Sequence, residues 1–99
     1  MERIVIGVRK EMAPRIGEVL KDDLVSRQSI TTREAAVLGL KSELHLVFIE
    51  GTAAAIERAR ELFKELGEPL PEPEASEAFR KLRQEEERAS VGMGMIFES

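Results

Sequence analysis

Apolar residues alternate with others in the opening run of the chain: Ile4, Ile6 and Val8 fall on one side of an extended backbone, Val5 and Gly7 on the other. That pattern predicts a first strand over residues 3–9. The period then changes. Ile16, Val19, Leu20 and Leu24 recur at helical spacing behind Pro14, whose missing N–H is not needed in a first helical turn, so a helix is expected to run to about residue 25. Asp22 and Asp23 would lie at the negative end of that helix, either solvated or marking an early stop.

Residues 26–43 carry two competing patterns. Ile30 between Ser29 and Thr31-Thr32 fits a short edge strand. Thr31-x-x-Glu34 fits a capping box ahead of Ala35, Ala36, Val37 and Leu38, with Gly39 available to end the turn in a left-handed conformation. The helical turn over 33–40 is the preferred reading, an extended strand through the same residues the alternative. Residues 44–50 are apolar on both faces, as a strand in the middle of a sheet requires.

Thr52 is placed to cap a helix whose buried side is Ile56, Ala59, Leu62, Phe63 and Leu66, with Gly67 as its stop. Proline at positions 69, 71 and 73 makes residues 67–73 an extended connector. From Glu74, Ala75, Ala78, Phe79, Leu82 and Ala89 draw a narrow apolar stripe on a heavily charged helix. Val91, Met93, Met95 and Phe97 then alternate in phase, so residues 91–97 are either a last strand or an apolar tail.

This succession predicts a single α+β domain over residues 1–99. The expected form is a two-layer sandwich of ferredoxin-like βαββαβ order with an extra C-terminal helix, placed ahead of the terminal strand or tail. Ninety-nine residues fit one small domain. With four Phe as the only aromatics, the core must come from Ile, Val, Leu and Ala.

Charge and reactive residues narrow the function classes. The net charge is −4, and residues 1–50 balance eight basic against eight acidic side chains, so the excess acid lies in residues 51–99. No basic patch gathers phosphates, which disfavours nucleic-acid binding. The opening residues move directly into a strand pattern with no apolar leader or span, and a cytoplasmic protein is the expectation. The absence of Cys removes disulfides, thiolate nucleophiles and thiolate metal sites. One histidine removes every arrangement that needs two, and no metal, cofactor or catalytic set is expected.

His45 has the only side chain whose ordinary titration lies near neutrality, but it stands in an apolar run with no carboxylate or serine at motif spacing. The densest group of hydrogen-bond donors is Arg27, Ser29, Thr31, Thr32 and Arg33. If Thr31 opened a helix, its free N–H groups and the two guanidinium groups would hold a phosphate or carboxylate. The same words, Thr32-Arg33-Glu34-Ala35-Ala36 and Leu38-Gly39-Leu40, are similar to the first half of a helix-turn-helix. Their spacing is one residue short, however, and a strand follows where a recognition helix would be needed. Glu85-Glu86-Glu87 reads as a solvated helix face, and Gly92-x-Gly94 lacks the strand–loop–helix frame of a dinucleotide site.

The segments Gly7-Val8-Arg9-Lys10, residues 29–40, and Phe48-Ile49-Glu50-Gly51-Thr52 on to Ala59 resemble small archaeal proteins of methanogen type, as does the ending Gly92-Met93-Gly94-Met95. The resemblance rests on short words across most of the chain and implies no activity. The functional expectation is therefore a non-catalytic binding or assembly module. It would form a homo-oligomer or dock a protein partner through residues 91–97, without a membrane. An anion- or nucleotide-binding regulatory domain using the 26–34 loop is the alternative.

Overall fold

The computed structural model describes residues 1–98, with side chains through Arg88. The elements are β1 (Glu2–Val8), a 3-10 stretch over Lys10–Arg15, α1 (Ile16–Val19), a 3-10 turn at Val25–Arg27, β2 (Ser29–Glu34), a 3-10 turn at Ala35–Leu38, β3 (His45–Gly51), α2 (Ala53–Leu62), β4 (Gly67–Pro69) and α3 (Glu74–Glu98). The strands form one antiparallel sheet in the order β2-β3-β1-β4.

The two central strands are those whose residues are apolar on both sides. Across β1 and β3, Ile4 faces Ile49 and Ile6 faces Val47, while Val5 faces Phe48 and Gly7 faces Leu46. Because side chains alternate, these pairs feed two separate cores. Ile4, Ile6, Val8, Val47 and Ile49 pack with Ile16, Val25, Ile56, Ala59, Phe63 and Leu66 beneath α1 and α2. Val5, Leu46 and Phe48 pack with Ala35, Leu38, Ala78, Phe79 and Leu82 beneath the 35–38 turn and α3. The expected two layers are therefore three, since the added helix roofs the face that a two-layer sandwich leaves bare.

Four further expectations are corrected. The helix foreseen from Pro14 to residue 25 is in short pieces: α1 stops at Val19, and Asp22 opens a separate turn, its carboxylate accepting the backbone N–H groups of Leu24 and Val25, both at 3.2 Å. The capping box at Thr31 does not form. β2 runs through Glu34, and the helical turn starts only at Ala35, ending at Gly39 with φ +80°.

The connector 67–73 supplies a fourth strand. Leu70 N–H donates to Val5 O at 2.9 Å and Arg9 N–H to Leu66 O at 3.3 Å, so the intervening Pro69 nitrogen faces away from β1 and its missing hydrogen removes no ladder bond. Finally, residues 91–97 continue α3 as helical backbone and do not form a last strand. α3 is already nucleated at Glu74, seventeen residues before Val91, and each added residue then needs only its own hydrogen bond.

Candidate functional site

β2 is an edge strand with β3 on one side and, among the described residues, no other strand beside it. Its alternation divides the five predicted anion ligands. Thr31 and Arg33 lie on the α3 side, half-buried; Thr32 lies on the opposite side, exposed, with Ile30 and Glu34 in the same phase. Ser29 opens the strand, and Arg27 sits in the preceding 3-10 turn. With no helix beginning at Thr31, the ring of free N–H groups that motivated the anion site is not assembled.

The two arginines are both engaged. Arg27 Nη2 stands 3.3 Å from Asp23 Oδ2, a fully wetted pair one helical turn apart and of little energetic weight. Arg33 is better held. Its Nε donates to both oxygens of Glu85 on α3, at 3.0 and 3.1 Å, while Nη1 donates to Thr32 O at 2.8 Å. Arg33 therefore pins α3 to the sheet margin and covers a β2 carbonyl at the same time.

His45 opens β3 directly across from Glu34, with Nε2 3.7 Å from Glu34 Oε1. That separation is beyond a hydrogen bond and becomes an ion pair only when the imidazole is protonated. The pair overlooks a small cleft of about 160 Å³ shared with Lys10, Ser42 and Glu43. Ser42 Oγ is occupied accepting the Leu44 N–H at 3.1 Å, so it is not poised against the imidazole. Sequence reading missed Glu34 as the neighbour of His45 because it assigned that carboxylate to a capping box. The signal was strand register, which a hairpin through the 35–44 turn would have supplied.

Asp22 provides the most constrained charge. Arg58 on α2 donates to its Oδ1 through Nε at 3.2 Å and Nη2 at 3.1 Å. That guanidinium, aided by the backbone N–H groups of Val25 and Leu24, holds the carboxyl below the ordinary value of 3.8. The contact fastens the broken helical segment to α2, and it is structural in character.

A hollow of about 630 Å³ is an open trench beside β4 with an apolar floor of Ile6, Phe63, Pro69 and Leu70 and a rim that includes Arg60 and Lys64. Among the described residues no group of three His, Asp or Glu side chains could hold a metal ion, and no buried polar side-chain atom lacks a partner. No described helix is long and apolar enough to cross a membrane. On the α3 side of the sheet Phe48 is buried beneath Phe79 and presents no ring on which a base could stack. Compared with known proteins, the chain matches no family model, no curated protein and no solved structure.

Proposed function

We propose that this chain is a non-catalytic binding and assembly module that self-associates. The observation that carries the reading is the length of α3. Twenty-five helical residues extend about 37 Å, whereas a seven-residue strand of this sheet extends only about 23 Å. Along the described side chains α3 passes from Ala75, which packs with the core beside Leu70, through Phe79 above β3 to Glu85 at Arg33 on β2. Helical backbone continues from there to Glu98, about 20 Å further. The sequence of that continuation holds Val91, Met93, Met95, Ile96 and Phe97, more apolar character than a helix end surrounded by water uses, and methionine adapts readily to irregular surfaces.

Chain mass by light scattering across micromolar concentrations tests the reading. A dimer or larger species is expected, reverting towards monomer when the chain is ended after Arg88. A monomer at every concentration overturns it. A different protein docking on residues 91–97 is the variant in which the full chain remains monomeric yet residues 89–99 are required for partner capture.

The strand order and the succession strand, helix, strand, strand, helix, strand support a ferredoxin-like arrangement with α3 appended, and a cytoplasmic, archaeal setting accords with the sequence resemblance. The alternative of an anion- or nucleotide-binding domain retains Arg27 and Ser29 as its exposed donors. It predicts thermal stabilisation by phosphate-bearing metabolites that Arg27→Ala abolishes, and no stabilisation at millimolar ligand defeats it.

A further inference from the structure

We propose that two copies of this chain associate through the outer edges of β2, pairing antiparallel about a twofold axis at Thr31 to give one continuous eight-stranded sheet. The proposal rests on the self-association reading above and specifies its surface. Ala35 N–H donates to Leu44 O at 3.0 Å in the same register as the β2–β3 ladder. In an antiparallel ladder, residues alternate between bonding to the neighbour and facing away. Ser29, Thr31 and Arg33 therefore bond to β3, while Ile30, Thr32 and Glu34 direct their N–H and C=O groups outward. Among the described residues, the outward Thr32 carbonyl is met by a side chain, the Arg33 guanidinium at 2.8 Å. The chain thus supplies its own stand-in for a strand neighbour.

A second β2 fits this edge in a defined register. Outward residues must bond to outward residues, so the axis falls on a residue and not between two, and the registers that overlap most of β2 place it on Thr31 or on Thr32. An axis at Thr32 sets the two Arg33 side chains diagonally adjacent on one face, which like charges oppose. An axis at Thr31 separates them, sets Arg33 opposite Ser29 of the other copy and Glu34 opposite Gln28, and lets Thr32 and Ile30 exchange both backbone bonds. Thr32 O then takes an Ile30 N–H in place of its own Arg33, whose Nε stays on Glu85. The pairing also gives the far end of α3 a place. That helix reaches β2 at Glu85 and continues about 20 Å, so across a twofold at this edge each helix extends over the other copy.

Two variants test the surface by different means. Thr32→Pro removes an outward donor that β3 does not use, a substitution edge strands accept. It should leave the monomer folded by circular dichroism while weakening dimerisation roughly thirty-fold or more, the effect of two lost hydrogen bonds at the twofold. Thr31→Cys, the sole thiol in a chain without cysteine, lies at a non-hydrogen-bonded pair where α-carbons approach to about 4.5 Å. It should cross-link under mild oxidation at least ten times faster than Lys64→Cys in the turn after α2. A folded Thr32→Pro protein that dimerises like the parent overturns the edge pairing while leaving self-association intact. Should Thr32→Pro fail to fold, a Thr31→Cys cross-linking rate no faster than that of Lys64→Cys overturns it equally. A parent chain that is monomeric throughout defeats both readings.

Discussion

Gly67 lies directly against the backbone of Gly7: a β-carbon at position 67 would overlap the Gly7 carbonyl oxygen and come within 2.8 Å of the Gly7 carbonyl carbon and the Val8 α-carbon. These are main-chain atoms of the central strand and cannot swing aside. Gly67→Ala is therefore expected to destabilise the fold by about 1–3 kcal/mol in urea unfolding, through displacement of β4 from β1. Gly17→Ala, where nothing stands within 4 Å, should be neutral or gain a fraction of that amount, because alanine suits α1 better. Equal losses from both would contradict the close approach.

The Asp22–Arg58 contact predicts an acid-sensitive joint. A carboxyl held below its ordinary 3.8 contributes stability that is complete above that pH and disappears as pH falls through the lowered value. Melting temperature should therefore drop on acidification below about pH 4, and Asp22→Asn should flatten that part of the profile while lowering stability at neutral pH. A profile in this range with the same slope in both proteins would show that Asp22 is not the group responsible.

Phe79 is the anchor of α3. Its ring meets Phe48 edge-on, with centroids 5.1 Å apart and planes at 75°, and the Arg3 guanidinium lies 4.3 Å from its centre on the open side. Phe79→Ala should lower stability by about 3 kcal/mol, and limited proteolysis should cut α3 before the sheet. Arg3→Ala removes only the guanidinium contact and should lower stability by less than about 1 kcal/mol.

Thr52 caps α2 by accepting the Ala55 N–H at 3.2 Å, while its own N–H donates to Gln28 Oε1 at 3.3 Å. Thr52→Ala is expected to lower stability by about 1 kcal/mol, recovered largely by Thr52→Ser. Failure of serine to restore it would mean that the methyl group, and not the hydroxyl, is what matters there.

The elements readable in the sequence were those fixed by local chemistry and by uninterrupted apolar pattern. Both faces of residues 45–51 are apolar, so β3 had to be central, and Thr52 with the Ile56, Ala59 and Phe63 stripe had to cap and bury α2 against it. What failed depended on contacts between distant parts. Pro69 reads as a strand breaker until the direction of its nitrogen is known, and that is set by Val5 and Arg9 some sixty residues earlier. Thr31-x-x-Glu34 is a valid local capping signal that lost to pairing with β3, whose Phe48 and His45 lie opposite those residues. The candidate site shared this fate. Its donors were counted along a helix that does not exist, and Glu34 became a neighbour of His45 only through cross-strand register.

Roofing both sides of the sheet with helices leaves the strands nothing to offer but their rims. The two margins of the sheet are narrow, one of them a three-residue stub and the other six residues long. Main-chain amides left unpaired by the sheet are therefore confined to its perimeter, and losing the Ala78, Phe79 and Leu82 turns of α3 would uncover the broad surface that the architecture keeps out of reach.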